Sequence, residues 1–279
     1  MILREFYHPC VLRPRFTRQI APIIQFCLGE SASRATEIAQ RSFDEAIASR
    51  QIWRLGAEAT LDQALIQANQ IPKYDCQKLY CFFSRRTYGV LLTTIHMGDF
   101  LHAILQLASC LNRDEIFIVR QREPDDVEGK VFAKLDGIGV KARAIRSYEK
   151  NAAMQVMRAL RKGAIVVALF DLPESYGSGT TVRFCGHELK WVGAPALLAQ
   201  RAKSILLPFV SFRSPDGGYH CDVLEAYDFS NPTSSPMNPQ QLSQILCDIA
   251  EHYVKRYPEQ WLQWPMFPEM LANSGLQAE

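Results

Sequence analysis

From Gly89 onward the chain alternates short apolar runs with amphipathic segments, and that alternation limits the fold more than any other feature. "GVLLTTIH" reads as a strand and "GDFLHAILQLASCL" as a helix. "EIFIVRQ" and "DDVEGKVFAKLDGIG" repeat the pair, as do "VKARAIR" and "EKNAAMQVMRALRKG", the last helix closing at Gly163. "AIVVALFD" is a further strand. Strands separated by helices predict a largely parallel sheet covered on both faces.

Beyond Asp171 the pattern changes. "LPESYGSGT" is rich in turn residues, and "TVRFCGHELKW" reads as a hairpin around Gly186. "GAPALLAQRAK" is a helix. "SILLPFVSFR" and "GYHCDVLEAYDF" read as antiparallel strands joined through "SPDGG", and "PQQLSQILCDIAEHYVKRYPEQW" as a closing helix. Residues 14–85 read mostly as helix. In "SASRATEIAQRSFDEAIASRQIWRLG" either Ser31 or Ser33 can cap, and "TLDQALIQANQ" is a shorter helical pattern. The expectation is an α/β fold: a mostly parallel central sheet flanked by helices. Residues 1–85 form an N-terminal helical layer on a core spanning 86–279, in one continuous domain.

Composition narrows the function. The chain has 279 residues, 48% of them hydrophobic and 22% charged, as in an ordinary globular protein with a sizeable core. A net charge of +2 is too small for bulk nucleic-acid binding. Apolar runs such as "AIVVALF" fall far short of the roughly 20 residues that span a bilayer, and no signal-peptide pattern is visible. The cysteines (Cys10, Cys27, Cys76, Cys81, Cys110, Cys185, Cys221 and Cys247) form no metal-ligand spacing. They read as reduced core residues of a cytosolic protein. Near the N-terminus Arg4, Arg13, Arg15 and Arg18 face a single acid, Glu5, among apolar and aromatic residues. Such a segment either lies on an anionic membrane surface or packs on the domain.

Several residues can carry chemistry. In open α/β sheets ligands bind beyond the carboxyl ends of strands, and His96 ends the first one. Imidazole titrates near neutral pH and serves as a general base when a partner fixes its tautomer. Asp99 lies three residues on, which shares a face with His96 if the helical turn begins there; His102 repeats the interval. The plainer alternative makes Asp99 an acid at a helix N-terminus and His96 a satisfied core histidine. Asp171 ends another strand on the same edge, as an orienter of His96 or as a turn aspartate before Pro173. Arg120, Arg122 and Arg146 lie at strand ends and either grip a phosphate or are simply solvated. "GSGT" has no Walker spacing and G-x-S-x-G is absent, which argues against a nucleotide loop and a nucleophile elbow. "YPEQWLQW" reads by composition as core.

Taken in order, these segments resemble the bacterial lipid A biosynthesis (lauroyl/myristoyl) acyltransferase family, of the glycerolipid acyltransferase group. The resemblance covers roughly residues 30–267. "LLTTIHMGDF" is similar to the family's histidine block and "IFIVRQREPDD" to its basic strand. "ALRKGAIVVALFDLPE" is similar to its aspartate block. "VRFCGHELKWVGAPALLAQRAKSILLPFVSFR" resembles its F-x-G segment, and "YPEQWLQW" its C-terminal P-x-Q-W/Y-x-W signature. The resemblance implies a glycerol-3-phosphate-acyltransferase-like fold. It implies transfer of a fatty acyl chain from an acyl carrier protein or CoA thioester to a hydroxyl of a lipid or lipid-linked acceptor, with no metal or cofactor. His96 would be the base, Asp99 its first-choice orienter and Asp171 the next, with Arg120 holding the acceptor or the donor's phosphopantetheine. The family motif is H-x-x-x-x-D/E, whereas Leu101 stands five residues after His96. That departure leaves open a non-catalytic lipid- or carrier-protein-binding member, or a thioesterase. The family's usual N-terminal membrane helix is not legible, so the expected location is cytoplasmic, peripheral on the inner (plasma) membrane.

Overall fold

The computed structural model describes residues 9–60, 62–63, 88–111, 115–121, 126–137, 141–231 and 237–273. Its centre is β1 (Val90–Thr94), every residue of which is buried. A strand covered on both faces must be apolar on both, which is why "VLLTT" shows no alternation. β4 (Ile165–Leu169) lies parallel on one side of it and β7 (Ile205–Arg213) parallel on the other. β2 (Glu115–Arg120) and β3 (Lys141–Arg146) extend the sheet beyond β4. The order is β3-β2-β4-β1-β7-β8, with β8 (Tyr219–Val223) antiparallel to β7 and the short β9 (Tyr227–Asp228) pairing the same strand. β5 (Gly179–Phe184) and β6 (His187–Val192) form a separate antiparallel hairpin. Its turn uses left-handed backbone at both Cys185 (φ 50) and Gly186 (φ 85), the pattern that suits a tight hairpin.

Helices cover both faces. α3 (Phe100–Leu111) packs Ala103, Ile104 and Leu107 against Val90, Leu92, Ile165 and Val167. α4 (Asp126–Gly137) adds Phe132 on that side. The other face, marked by Leu91, Ile95, Val166 and Leu206, carries α5 (Ala152–Arg161), α6 (Ala194–Ala202) and α7 (Pro239–Arg256). Gly163 follows α5 with φ 84, as its place after the helix requires. α7 stops at Arg256 rather than continuing through Trp261, because Pro258 has no N–H to give and starts a short 3-10 turn instead. α8 (Phe267–Asn273) closes the described chain.

α1 (Pro9–Leu28) and α2 (Ala32–Glu58) belong to the same apolar cluster as the sheet. Ser31 caps α2 and accepts the Arg34 N–H (3.2 Å). On α1, Ile20, Ile24 and Cys27 recur at helical spacing and are buried. The apolar stripe of this helix is therefore turned into the protein, and Arg13, Arg15 and Arg18 are exposed. Among the described residues no helix is long and apolar enough to cross a membrane. "TLDQALIQANQ" lies almost wholly outside the described residues. Cys27, Cys185, Cys221 and Cys247 are free thiols, whereas Cys110 is disulfide-bonded, a pairing that spacing in sequence does not disclose.

Because α1 is part of the core, Ile24→Ala is expected to destabilise the whole fold by about 2–5 kcal/mol. Urea unfolding followed by circular dichroism measures this; an unchanged midpoint would mean that α1 is a detachable arm.

Candidate active site

β1 and β4 run side by side in register, Thr94 opposite Leu169. The ladder continues one step further, with Phe170 N–H donating to Thr94 O (3.1 Å). The next residues out are His96 on one strand end and Asp171 on the other, and parallel register brings them level. Met97 N–H bonds back to Ile95 O (2.8 Å), a three-residue turn with His96 at its centre. Gly98 then takes φ +56, and the helix α3 begins only at Phe100.

The two side chains meet. His96 Nδ1 lies 2.7 Å from Asp171 Oδ1, and His96 backbone N–H donates to Asp171 Oδ2 (2.7 Å). Trp261 Nε1–H donates to the same Oδ2 (2.9 Å). Asp171 is wholly buried, whereas the His96 side chain is 24% exposed. An ionised carboxylate only accepts, so in a neutral imidazole held this way Nδ1 carries the proton and Nε2 keeps its lone pair. The ring rests edge-on against Phe100 (centroids 5.7 Å). An arrangement with one ring nitrogen fixed by a carboxylate, on a ring that is partly exposed, is suited to general-base chemistry.

Asp99, the first-choice orienter from spacing, is placed elsewhere. Its carbonyl accepts Ala103 N–H (3.3 Å), so it stands immediately before the helix. Its buried side chain borders a small cavity with Glu45, Arg213 and Gln260. The i, i+3 expectation assumed a helical turn beginning at His96; a tight turn and a left-handed glycine stand there instead. The acid that reaches the ring is Asp171. The side chains of Leu101 and His102, and all of Arg122, lie outside the described residues.

Arg120 and Arg146 are register partners at the ends of β2 and β3. Arg146 pairs with Glu149 (3.1 Å), and Arg120 lies over the Phe132 ring (5.6 Å). Arg120 also lines a cavity of about 230 Å³ at this sheet edge, together with Lys150 and the apolar Leu91, Val119, Val156 and Leu198. A more open groove of about 550 Å³ lies between α1 and α2, lined by those helices alone and by none of the residues just named. Neither His96 nor Asp171 lines either space; the smaller one lies beside their strand ends, reaching Leu169 and Leu172 on either side of Asp171. Trp261, read from composition as core, is indeed buried, yet its indole N–H reaches the site. The signal in sequence was the residue type itself, since a buried tryptophan needs a partner for its N–H.

Residues 24–264 match the sequence profile of the bacterial lipid A biosynthesis acyltransferases. The chain belongs to this family. No curated protein matches it as a relative. The lipid A acyltransferase family brings acyl transfer to a lipid-like acceptor as its reaction, and the fold is the mixed, mostly parallel α/β architecture expected from the sequence.

Gly98 positions the turn between His96 and α3. A Cβ there would meet Ser211 O at 2.5 Å and Phe212 Cα at 2.8 Å, both backbone of β7. Gly98→Ala is expected to destabilise by at least about 2 kcal/mol. Thermal unfolding checks it, and a variant as stable as wild type would show that the turn is not held against β7.

Proposed function

We propose that this member of the lipid A acyltransferase family moves a fatty acyl chain from an acyl carrier protein or CoA thioester to a hydroxyl of a lipid or lipid-linked acceptor. His96 is the base and Asp171 its orienter. The observation that carries this reading is the 2.7 Å contact between His96 Nδ1 and Asp171 Oδ1 on a wholly buried carboxylate.

The steps follow from that pair. His96 Nε2 takes the acceptor hydroxyl's proton as the oxygen attacks the thioester carbonyl carbon. The tetrahedral adduct collapses, the C–S bond breaks, and the departing sulfur takes the proton back from Nε2. An ester and a free thiol result, and the histidine is restored. Asp171 keeps the imidazole in one tautomer throughout and supports the transient imidazolium.

Arg120 and Arg146 supply positive charge at the same strand ends. Arg120 suits a phosphate of the acceptor or of the donor's phosphopantetheine. The largely apolar cavity that Arg120 lines suits a hydrocarbon chain. Contact with the membrane that holds the acceptor would be peripheral, through the exposed Arg15 and Arg18 of α1, because the apolar stripe of that helix is already used in the core.

The test is acyl transfer from radiolabelled acyl-carrier-protein or acyl-CoA donors to lipid acceptors. His96→Ala is expected to abolish transfer, and Asp171→Asn to lower kcat by about 10²–10⁴-fold. Asp99→Asn is expected to fall much less. Equal losses at both aspartates would overturn the assignment of Asp171, and free fatty acid without acylated acceptor would make the chain a hydrolase.

A further inference from the structure

The C-terminal stretch Tyr257–Trp264 carries more polar connections than an apolar plug needs. The Gln260 side-chain amide pairs with the end of β7, its Nε2 donating to Arg213 O (2.6 Å) and its Oε1 accepting Arg213 N–H (2.7 Å). Leu262 N–H donates to His96 O (2.9 Å). Met97 and Trp261 form an antiparallel bridge. Trp264 Nε1–H donates to Pro258 O (2.7 Å), which closes the segment on itself. Trp261 Nε1–H reaches Asp171 Oδ2 (2.9 Å). One short segment thus holds the backbone at and just after His96, together with the acid behind it.

We infer that Trp261 is a positioning residue for the His96–Asp171 pair, with Tyr257–Trp264 as the clamp that fixes both at once.

Two features support this. First, an aspartate's terminal torsion is soft and roughly two-fold, so one hydrogen bond does not fix the carboxylate plane. Here Oδ2 accepts from two directions, His96 N–H and Trp261 Nε1–H, and Oδ1 is left aimed at Nδ1. Second, the indole is itself rigid. Trp261 is 1% exposed and sits among Trp264 (ring centroids 4.7 Å) and Phe184 (5.5 Å). An indole N–H donates only, so it cannot exchange roles with the carboxylate. Order passes from the aromatic cage to Trp261, to Asp171, to the imidazole tautomer, and leaves Nε2 as the site for the acceptor's proton. Trp261 touches no reacting atom and acts through Asp171.

The experiment removes the N–H without the shape. Trp261 is replaced by β-(3-benzothienyl)alanine, in which sulfur stands where the N–H was, and in parallel by Trp261→Phe. Nitrogen-15 NMR of histidine-labelled protein, with His96 assigned through His96→Gln, reads the tautomer directly. The wild type is expected to show the Nδ1–H form, and the isostere a mixture of the two tautomers at a nearly unchanged unfolding midpoint. Its kcat is expected to fall about tenfold with KM unchanged, as for loss of one hydrogen bond to a charged group. An isostere with the wild-type tautomer and wild-type kcat would reduce Trp261 to packing, whatever Trp261→Phe does. The kinetic arm rests on the acyl-transfer reading; the NMR arm needs no substrate. If the tautomer shifts and the wild type transfers no acyl group, the positioning stands and the acyl-transfer reading falls.

Discussion

The carboxylate of Asp171 is the point on which the site depends. It is wholly buried and is met by three N–H groups, from the His96 ring, the His96 backbone and the Trp261 indole. Taking an ion out of water costs several kcal/mol unless such partners replace the lost hydration. The three donors come from the end of β1 and from the C-terminal segment, and the acceptor from the end of β4. None of these can be misplaced without leaving a buried charge short of partners. The local polar network and the global sheet topology are therefore one constraint.

Much of the fold could be read directly. Strand–helix alternation from Gly89 predicted a parallel sheet, and buried runs such as "GVLLTTIH" and "AIVVALFD" became its centre because both faces are covered. His96 and Asp171 were each legible as polar residues ending an apolar strand. Their pairing was not, since it depends on β4 lying beside β1 and on the register of the two strands. Spacing favoured Asp99 because a neighbour in sequence is visible where a neighbour in space is not. The turn at Ile95–Met97 and the left-handed Gly98 break the helical phase on which that preference relied. Composition puts Trp261 in the core, where it lies, but its N–H is a polar handle whose partner is 90 residues away.

The N-terminal helix shows how burial decides between two readings of one composition. A basic, apolar segment suits either a membrane surface or a domain. Ile20 and Ile24 go into the common core, so the stripe that would enter a bilayer is already occupied. The charge that remains outward includes Arg15, Arg18 and the Arg13–Asp44 pair (2.7 Å), beside the exposed Phe26. Charge of this kind gives attraction that salt screens, not insertion.

In an H-x-x-x-x-D/E pattern starting at His96 the acid would fall at position 101, inside α3 (Phe100–Leu111). With Leu101 in that position, the carboxylate that meets the His96 ring instead lies 75 residues on, just past the end of β4. Its placement then depends on the β1–β4 ladder, carried to the very edge by the Phe170–Thr94 bond. Side chains alternate along a strand, so a slip of one residue would turn Asp171 to the opposite face and break the pair. The pattern that resists such a slip is hydrophobic: Leu91 and Val166 belong to one core cluster, Val90, Leu92, Ile165 and Val167 to the other. The apolar residues that make the core are thus also what brings His96 and Asp171 together, and a core substitution that loosens this register would part the pair without touching a polar atom.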